Sequence, residues 1–302
     1  MVSLSQMARL VEAVRPEARL VLVGDPGQLT SIEAGAVLGD IVGAGGEGVV
    51  VLEHVYRFGA GIDALADAIR KGDGDAVLDA LTAGHDDVSW IPVDVADPAA
   101  HDALAPVRDG AVAASRAVLE AAREGQAAEA IRALGAFRIL CAHRRGSYGV
   151  SVWTSRIEGW LAEELERGRW YTGRPLLVTE NDYGLRLYNG DTGVIVAKPD
   201  GRPVAAFERR GEVVEFTPAR LGAVDTVYAM TVHKSQGSQF GTAAVLLPAA
   251  SSQVLTRELL YTAVTRAQEK LILAGTEATI RAAVARPVAR ASGLAARLSG
   301  RG

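Results

Sequence analysis

The chain has 302 residues, 49% of them hydrophobic and 23% charged, and a net charge of −4. That length suits one large or two ordinary domains, and the balance is that of a globular protein. Net negative charge excludes a dedicated nucleic-acid coat protein, so any contact with DNA must be a local basic stripe. The single cysteine, Cys141, excludes an internal disulfide framework and suits a reducing cytoplasmic setting. No apolar run approaches the ~20 residues that span a bilayer, and no basic-then-apolar start marks secretion, so no membrane contact is expected.

In chain order, Leu4, Met7, Leu10, Val11 and Val14 recur at helical spacing, and Pro16 closes that helix. Leu20 to Val23 reads as a buried parallel strand that feeds the loop from Gly24 to Leu29. A helix over 34–42 and a strand over 49–52 follow. Residues 60–135 read as a helical packing layer without chemistry. It has helices around Ile62–Ile69 and Val77–Leu81, and one from Arg116 to Leu134 that continues through Gly125. Phe137–Ala142 reads as a strand and Val150–Arg167 as a helix, a βα unit of a second parallel sheet. Pro175–Thr179 is another strand.

Asn189-Gly190 predicts a hairpin turn between Leu185/Leu187 and Val194/Val196. Residues 194–221 alternate like antiparallel strands. Thr226–Met230 and Ala243–Leu247 read as strands on either side of a polar loop, Arg257–Arg266 as a helix and Lys270–Ala274 as the last strand. Residues 286–302 read as a disordered tail. Cys141 reads as a core filler at a strand end.

Three segments carry chemistry. Gly24-Asp-Pro-Gly-Gln-Leu29 is a tight loop after a strand, with Gln28 able to donate to a phosphate. Its residues alone suit a plain turn equally well. Ala229-Met-Thr-Val-His-Lys-Ser-Gln-Gly-Ser-Gln-Phe240 places hydroxyls, an imidazole, an ammonium and Gly237 in one loop, a set suited to the phosphates and sugars of a single strand. The lysines are Lys71, Lys198, Lys234 and Lys270, so one inside this loop stands out. Leu260-Tyr-Thr-Ala-Val-Thr-Arg-Ala267 puts Tyr261, Thr262, Thr265 and Arg266 on one side of a helix. Arg57, between Tyr56 and Phe58, by itself suits a snorkelling side chain. No carboxylate cluster suits a catalytic metal. The chain also contains no Gly-Lys and no Asp-Glu dipeptide, hence neither a Walker A loop nor the Walker B carboxylate pair.

In this order the three segments resemble motifs III, V and VI of superfamily 1 DNA helicases, and their wording is most similar to the RecD family, the alpha subunit of exodeoxyribonuclease V. The resemblance implies an α/β fold: a RecA-like P-loop NTPase helicase motor with parallel sheets flanked by helices and a small SH3-like β insert. It implies a remnant of the first motor domain over 1–55, the second over 56–193 and 226–285, and the insert over 194–225. It implies an ATP-dependent 5′→3′ helicase acting in recombinational double-strand break repair, with ATP and Mg2+ as cofactors of the complete protein. Single-stranded DNA and RecB- and RecC-like subunits are the implied partners.

Carried over residue by residue, Gln28 becomes the γ-phosphate sensor with Gly24 and Asp25 beside it. Arg57 becomes the motif IV arginine and Arg266 the motif VI finger. Gly237 and Gln239 fall on the nucleotide side, and Thr231, His233, Lys234, Ser235 and Gln236 on DNA. Gln239 departs from the family's usual Glu, which removes a charge there. The resemblance also implies a further amino-terminal motor region, carrying the Walker loops, on polypeptide this chain does not contain. The isolated chain is then expected not to hydrolyse ATP. The remaining readings are a stand-alone or relaxase-linked helicase and a non-catalytic strand-binding module.

Overall fold

The computed structural model describes residues 2–29, 37–45, 48–52, 59–288 and 294–298. The chain opens with α1 (Leu4–Ala13), capped by Ser3, whose hydroxyl accepts from Gln6 N while Gln6 Oε1 accepts from Ser3 N. Its apolar stripe is not covered by the described residues: no residue of α1 is buried. α2 (Val37–Ala44) follows. Neither Leu20–Val23 nor Val49–Leu52 forms the expected strand. Both are extended stretches without a ladder partner among the described residues, and Val23 and Leu52 are 90% and 85% exposed. An apolar run becomes a buried strand only where neighbours complete its sheet.

The next elements are α3 (Ala60–Lys71), α4 (Gly74–Thr82), β1 (Val88–Ile91), α5 (Ala105–Arg123), α6 (Ala127–Ala136), β2 (Phe137–Cys141) and α7 (Val150–Trp160). The region read as purely helical therefore also supplies an edge strand, β1. The single helix expected through Gly125 is two, because Gly125 adopts φ +75° and breaks the run. Next come β3 (Pro175–Val178), β4 (Thr192–Ala197), β5 (Pro203–Arg209), β6 (Glu212–Phe216) and β7 (Val224–Thr226). The chain finishes with β8 (Ala229–Thr231), β9 (Phe240–Leu246), α8 (Arg257–Val264), β10 (Ala267–Ala274), α9 (Glu277–Ala285) and α10 (Leu294–Leu298).

A five-stranded parallel sheet runs in the order β1-β10-β9-β2-β8. Alternate residues of its strands feed two separate cores, as the pleat requires. Leu140, Ala243, Val245, Leu271 and Leu273 pack under α3, α4, α8 and α9. Ile139, Cys141, Ala244, Leu246 and Ile272 pack under α5 and α7, against Val107, Trp153 and Ile157. Burial pushes the Cys141 thiol up to about 12, which leaves it an inert core group.

The second sheet is antiparallel, in the order β6-β5-β4-β3-β7. It draws on residues 175–226 and is wider than the 194–225 insert read from alternation, because β3 and β7 join it. The turn at Asn189-Gly190 is present, with Gly190 at φ +103°. Its hairpin nevertheless pairs Pro175 with Val194, not Leu187 with Val194; Leu187 bridges Asp182 instead. The two crossings between the sheets lie side by side. Val227 N donates to Pro175 O at 3.1 Å, Arg174 Nε donates to Thr226 Oγ1 at 2.9 Å, and the Tyr171 and Tyr228 hydroxyls are 3.1 Å apart.

The tail expected to be disordered is tied down at its start. Arg286 donates to Ser252 O at 2.6 Å, and Val288 N to Glu258 Oε2 at 2.8 Å; α10 lies beyond. No helix among the described residues is long and apolar enough to cross a membrane.

Candidate functional site

β2 and β8 are adjacent parallel strands, with Cys141 opposite Thr231. Their following loops therefore emerge together at the carboxyl edge of the sheet, where ligands of open α/β sheets bind. The loop after β2 carries Arg144 and Arg145; the loop after β8 carries Lys234. With Val150, Ser151, Thr154 and Ser155 of α7, and with Leu177, Asp225 and Thr226 of β3 and β7, they line a groove of about 370 Å³. Three cations face one carboxylate there, in a chain whose overall charge is negative.

The expected strand-contacting residues divide. Thr231 and Lys234 line the groove. His233 is half-buried, and burial lowers its pKa, but it does not line the groove. Ser235 is fully buried, and its hydroxyl donates to Val232 O at 2.8 Å. Gln236 turns the other way: its Nε2 donates to Leu29 O at 2.7 Å.

That bond joins the groove to the loop expected on the nucleotide side. Asp25 organises this loop, with Oδ1 accepting from Gly27 N at 2.9 Å and Oδ2 from Gln28 Nε2 at 3.0 Å. Oδ2 also accepts from the Tyr261 hydroxyl of α8 at 3.1 Å. Leu29 N donates to Thr262 Oγ1 at 2.7 Å, and the Leu29 side chain enters the core under α8. At Gly24 an added Cβ would meet Leu38 Cδ2 at 2.7 Å, so a larger residue there would require the Leu38 side chain of α2 to move.

Arg266 follows the same helix. It is 5% exposed; its Nε donates to Thr262 O at 3.0 Å and its Nη1 to Ser238 O at 3.1 Å. Gln28 and Arg266 are thus each tied to α8, Gln28 through Asp25 and Tyr261 and Arg266 through Thr262 O. Arg57 lies outside the described residues. Gly237, at φ +87°, and Gln239, whose Oε1 accepts from Gln268 at 3.4 Å, close the loop that returns to β9. Among the described residues no cluster of His, Cys, Asp and Glu could hold a metal ion.

Sequence reasoning missed Arg144, Arg145, Thr154 and Thr226. The Arg-Arg pair directly after β2 was the available signal, since β2 and β8 end at the same edge. Thr226 had none, because the antiparallel sheet brings it there.

Two family models match parts of the chain. Residues 1–91 match an AAA domain and residues 226–274 a UvrD-like helicase C-terminal domain. The chain is 51% identical, over 99% of its length, to RecBCD enzyme subunit RecD of Mycolicibacterium smegmatis, of which it covers 52%. It is 32% identical, over 97% of its length, to RecBCD enzyme subunit RecD of Haemophilus influenzae, again covering 52%. To the ATP-dependent RecD2 DNA helicase of Deinococcus radiodurans it is 30% identical over 93% of its length and 36% of that protein. The chain spans about half the length of the RecBCD subunits it matches. The parallel sheet flanked by helices and this similarity from end to end mark the chain as a relative of RecD subunits over about half of their length.

Proposed function

We propose that this chain is the carboxyl-terminal part of an ATP-dependent 5′→3′ DNA helicase of the RecD type, working with RecB- and RecC-like subunits in recombinational double-strand break repair. One observation carries the reading. The six residues Thr231–Gln236 face the basic groove through Thr231 and Lys234 and grip the Asp25–Leu29 loop through Gln236. A shift of the strand-binding loop therefore reaches Leu29, and through Leu29 N reaches Thr262 on the helix that ends in Arg266.

In this reading the groove holds a single strand by its phosphates, with Arg144, Arg145 and Lys234 as cations and Thr231 as a hydroxyl donor. ATP, when bound to the complete protein, supplies the driving free energy. The residues present fit part of its site. Gln28 and Arg266 offer an amide and a guanidinium, now held by Asp25, Thr262 O and Ser238 O, which phosphate oxygens can replace as acceptors. Holding Mg2+ and cradling the β- and γ-phosphates falls to the amino-terminal motor region, which the family resemblance puts on other polypeptide.

Fluorescence anisotropy with labelled oligothymidylate tests the strand site. Arg145→Ala and Lys234→Ala are expected to weaken binding and each to flatten the slope of log affinity against log salt by about 0.7, one phosphate contact on a single strand. Binding by both variants equal to the parent in strength and slope would overturn the assignment of this groove.

A further inference from the structure

The antiparallel sheet contributes Thr226 to the wall of the strand groove, and the hydrogen bonds behind that wall determine what the residue can offer. A threonine hydroxyl has one proton to donate and lone pairs that accept. Arg174 Nε donates to Thr226 Oγ1 at 2.9 Å. The guanidinium has no acceptor capacity, so it cannot take the threonine's proton in return. Among the described residues nothing else accepts that proton. Arg174 is itself fixed from behind: it is 9% exposed, its Nη1 donates to Arg169 O at 2.6 Å, and its guanidinium lies 5.2 Å from the Trp170 ring centre. It does not line the groove.

The same arrangement recurs across the groove. Thr231 Oγ1 accepts from Lys234 N at 3.2 Å, which leaves its proton uncommitted. Thr154, on α7, has a hydroxyl with no partner. The Thr154 hydroxyl is sealed beneath the groove surface, whereas Thr226 and Thr231, on two separate strands, each keep a hydroxyl proton beside Arg144, Arg145 and Lys234, and the acceptor Asp225 is outnumbered.

We infer that Thr226 is a strand-contacting residue that donates its hydroxyl to a phosphodiester oxygen, and that Arg174 is the positioning residue that fixes Thr226 as a donor. The inference rests on the strand-binding reading of the groove and extends it to the antiparallel sheet. A neutral donor adds affinity without releasing a counterion, so its loss changes binding strength and leaves the salt dependence untouched.

The test uses this chain and labelled oligothymidylate, in phosphodiester form and with neutral methylphosphonate linkages. Thr226→Val is expected to weaken phosphodiester binding about 3- to 10-fold with an unchanged salt slope, and Thr226→Ser to restore it. On the methylphosphonate strand, which keeps one uncharged non-bridging oxygen per linkage, the loss on Thr226→Val is expected to be smaller than on the phosphodiester strand. Arg174→Met is expected to weaken binding no more than Thr226→Val does, and the double variant to match Thr226→Val alone, since both remove one contact. Should Arg174→Met not fold, the valine and serine pair on the two strands decides the matter. Thr226→Val binding like the parent, while Arg145→Ala and Lys234→Ala weaken binding, would overturn this inference and leave the strand site standing. No effect from any of these variants would overturn both.

Discussion

Tyr261 donates its hydroxyl to Asp25 Oδ2 at 3.1 Å, across 236 positions of sequence, and to the same oxygen that receives the Gln28 amide. Burial, then the nearby Asp25 charge, pushes the Tyr261 hydroxyl up to about 12, so it remains a donor through the physiological range. The glutamine proposed to sense a phosphate is therefore oriented by a carboxylate that the motif VI helix also holds. The Leu29 N–H to Thr262 bond, one residue further along, fastens the loop to the same helix.

Thr262→Val keeps the shape of that joint and removes its acceptor. An amide left buried without a partner costs about 1–3 kcal/mol, so exchange of the Leu29 amide with solvent is expected to quicken roughly 5- to 150-fold. Hydrogen exchange read at Leu29 checks this, and unchanged protection would show that the loop is held by packing alone.

The purified chain is expected to show no ATP turnover above background, with or without oligothymidylate, against about 1–10³ per second for typical complete enzymes. In the proposed reading Gln28 and Arg266 act on charge that a phosphate cradle must first place. Turnover in that range that disappears on Arg266→Ala would sink the expectation, because the activity would then belong to this chain.

His233 gives a pH signature. Burial lowers its pKa in the folded state below the ordinary value, so the unfolded chain binds the proton more readily. Its contribution to stability is complete above the ordinary histidine value of about 6.5 and is lost as pH falls through the lowered folded value. Urea midpoints between pH 7.5 and pH 5 are expected to fall more for the parent than for His233→Asn. Parallel curves would place the pH dependence elsewhere.

Arg138 is 2% exposed, and no carboxylate pairs with it among the described residues. It donates to Val227 O and to Leu134 O and lies over the Phe240 ring. Burial pulls its guanidinium down to about 10. Val227 and Phe240 flank the strand-binding loop, so this side chain braces both of its ends. Arg138→Ala is expected to cost about 3 kcal/mol or more, since it opens a cavity and strands two carbonyls. Arg138→Met, which fills the space without a buried charge, is expected to cost less than half of that. Urea unfolding of the two variants checks the order, and equal losses would show that the charge itself holds the site.

The sequence was legible where one segment fixes its own surroundings. The strands β2 and β9, the helix α8 and the loop around Lys234 follow from local pattern, because two buried faces or a run of polar groups declare themselves within ten residues. What failed depended on partners. Leu20–Val23 has the composition of a buried strand but finds no neighbour to pair with among the described residues, and the short edge strand β1 is buried only at its ends. Ser235 and Gln236 sit in a polar loop, yet the turn of the chain after Thr231 directs one inward and the other toward Leu29. Thr226 reaches the groove only through the pairing of β7 with β3, a register that no local spacing encodes.

Pro175 and Val227 are hydrogen-bonded neighbours where the chain leaves and rejoins the parallel sheet, and Val194, Val196 and Ala206 of the intervening lobe are seated on Val118, Ala122 and Leu134 of α5 and α6. A graft that replaced the lobe with a tight turn would therefore uncover an apolar face of those two helices, so the size of the lobe cannot change without a matching change in the surface that carries it.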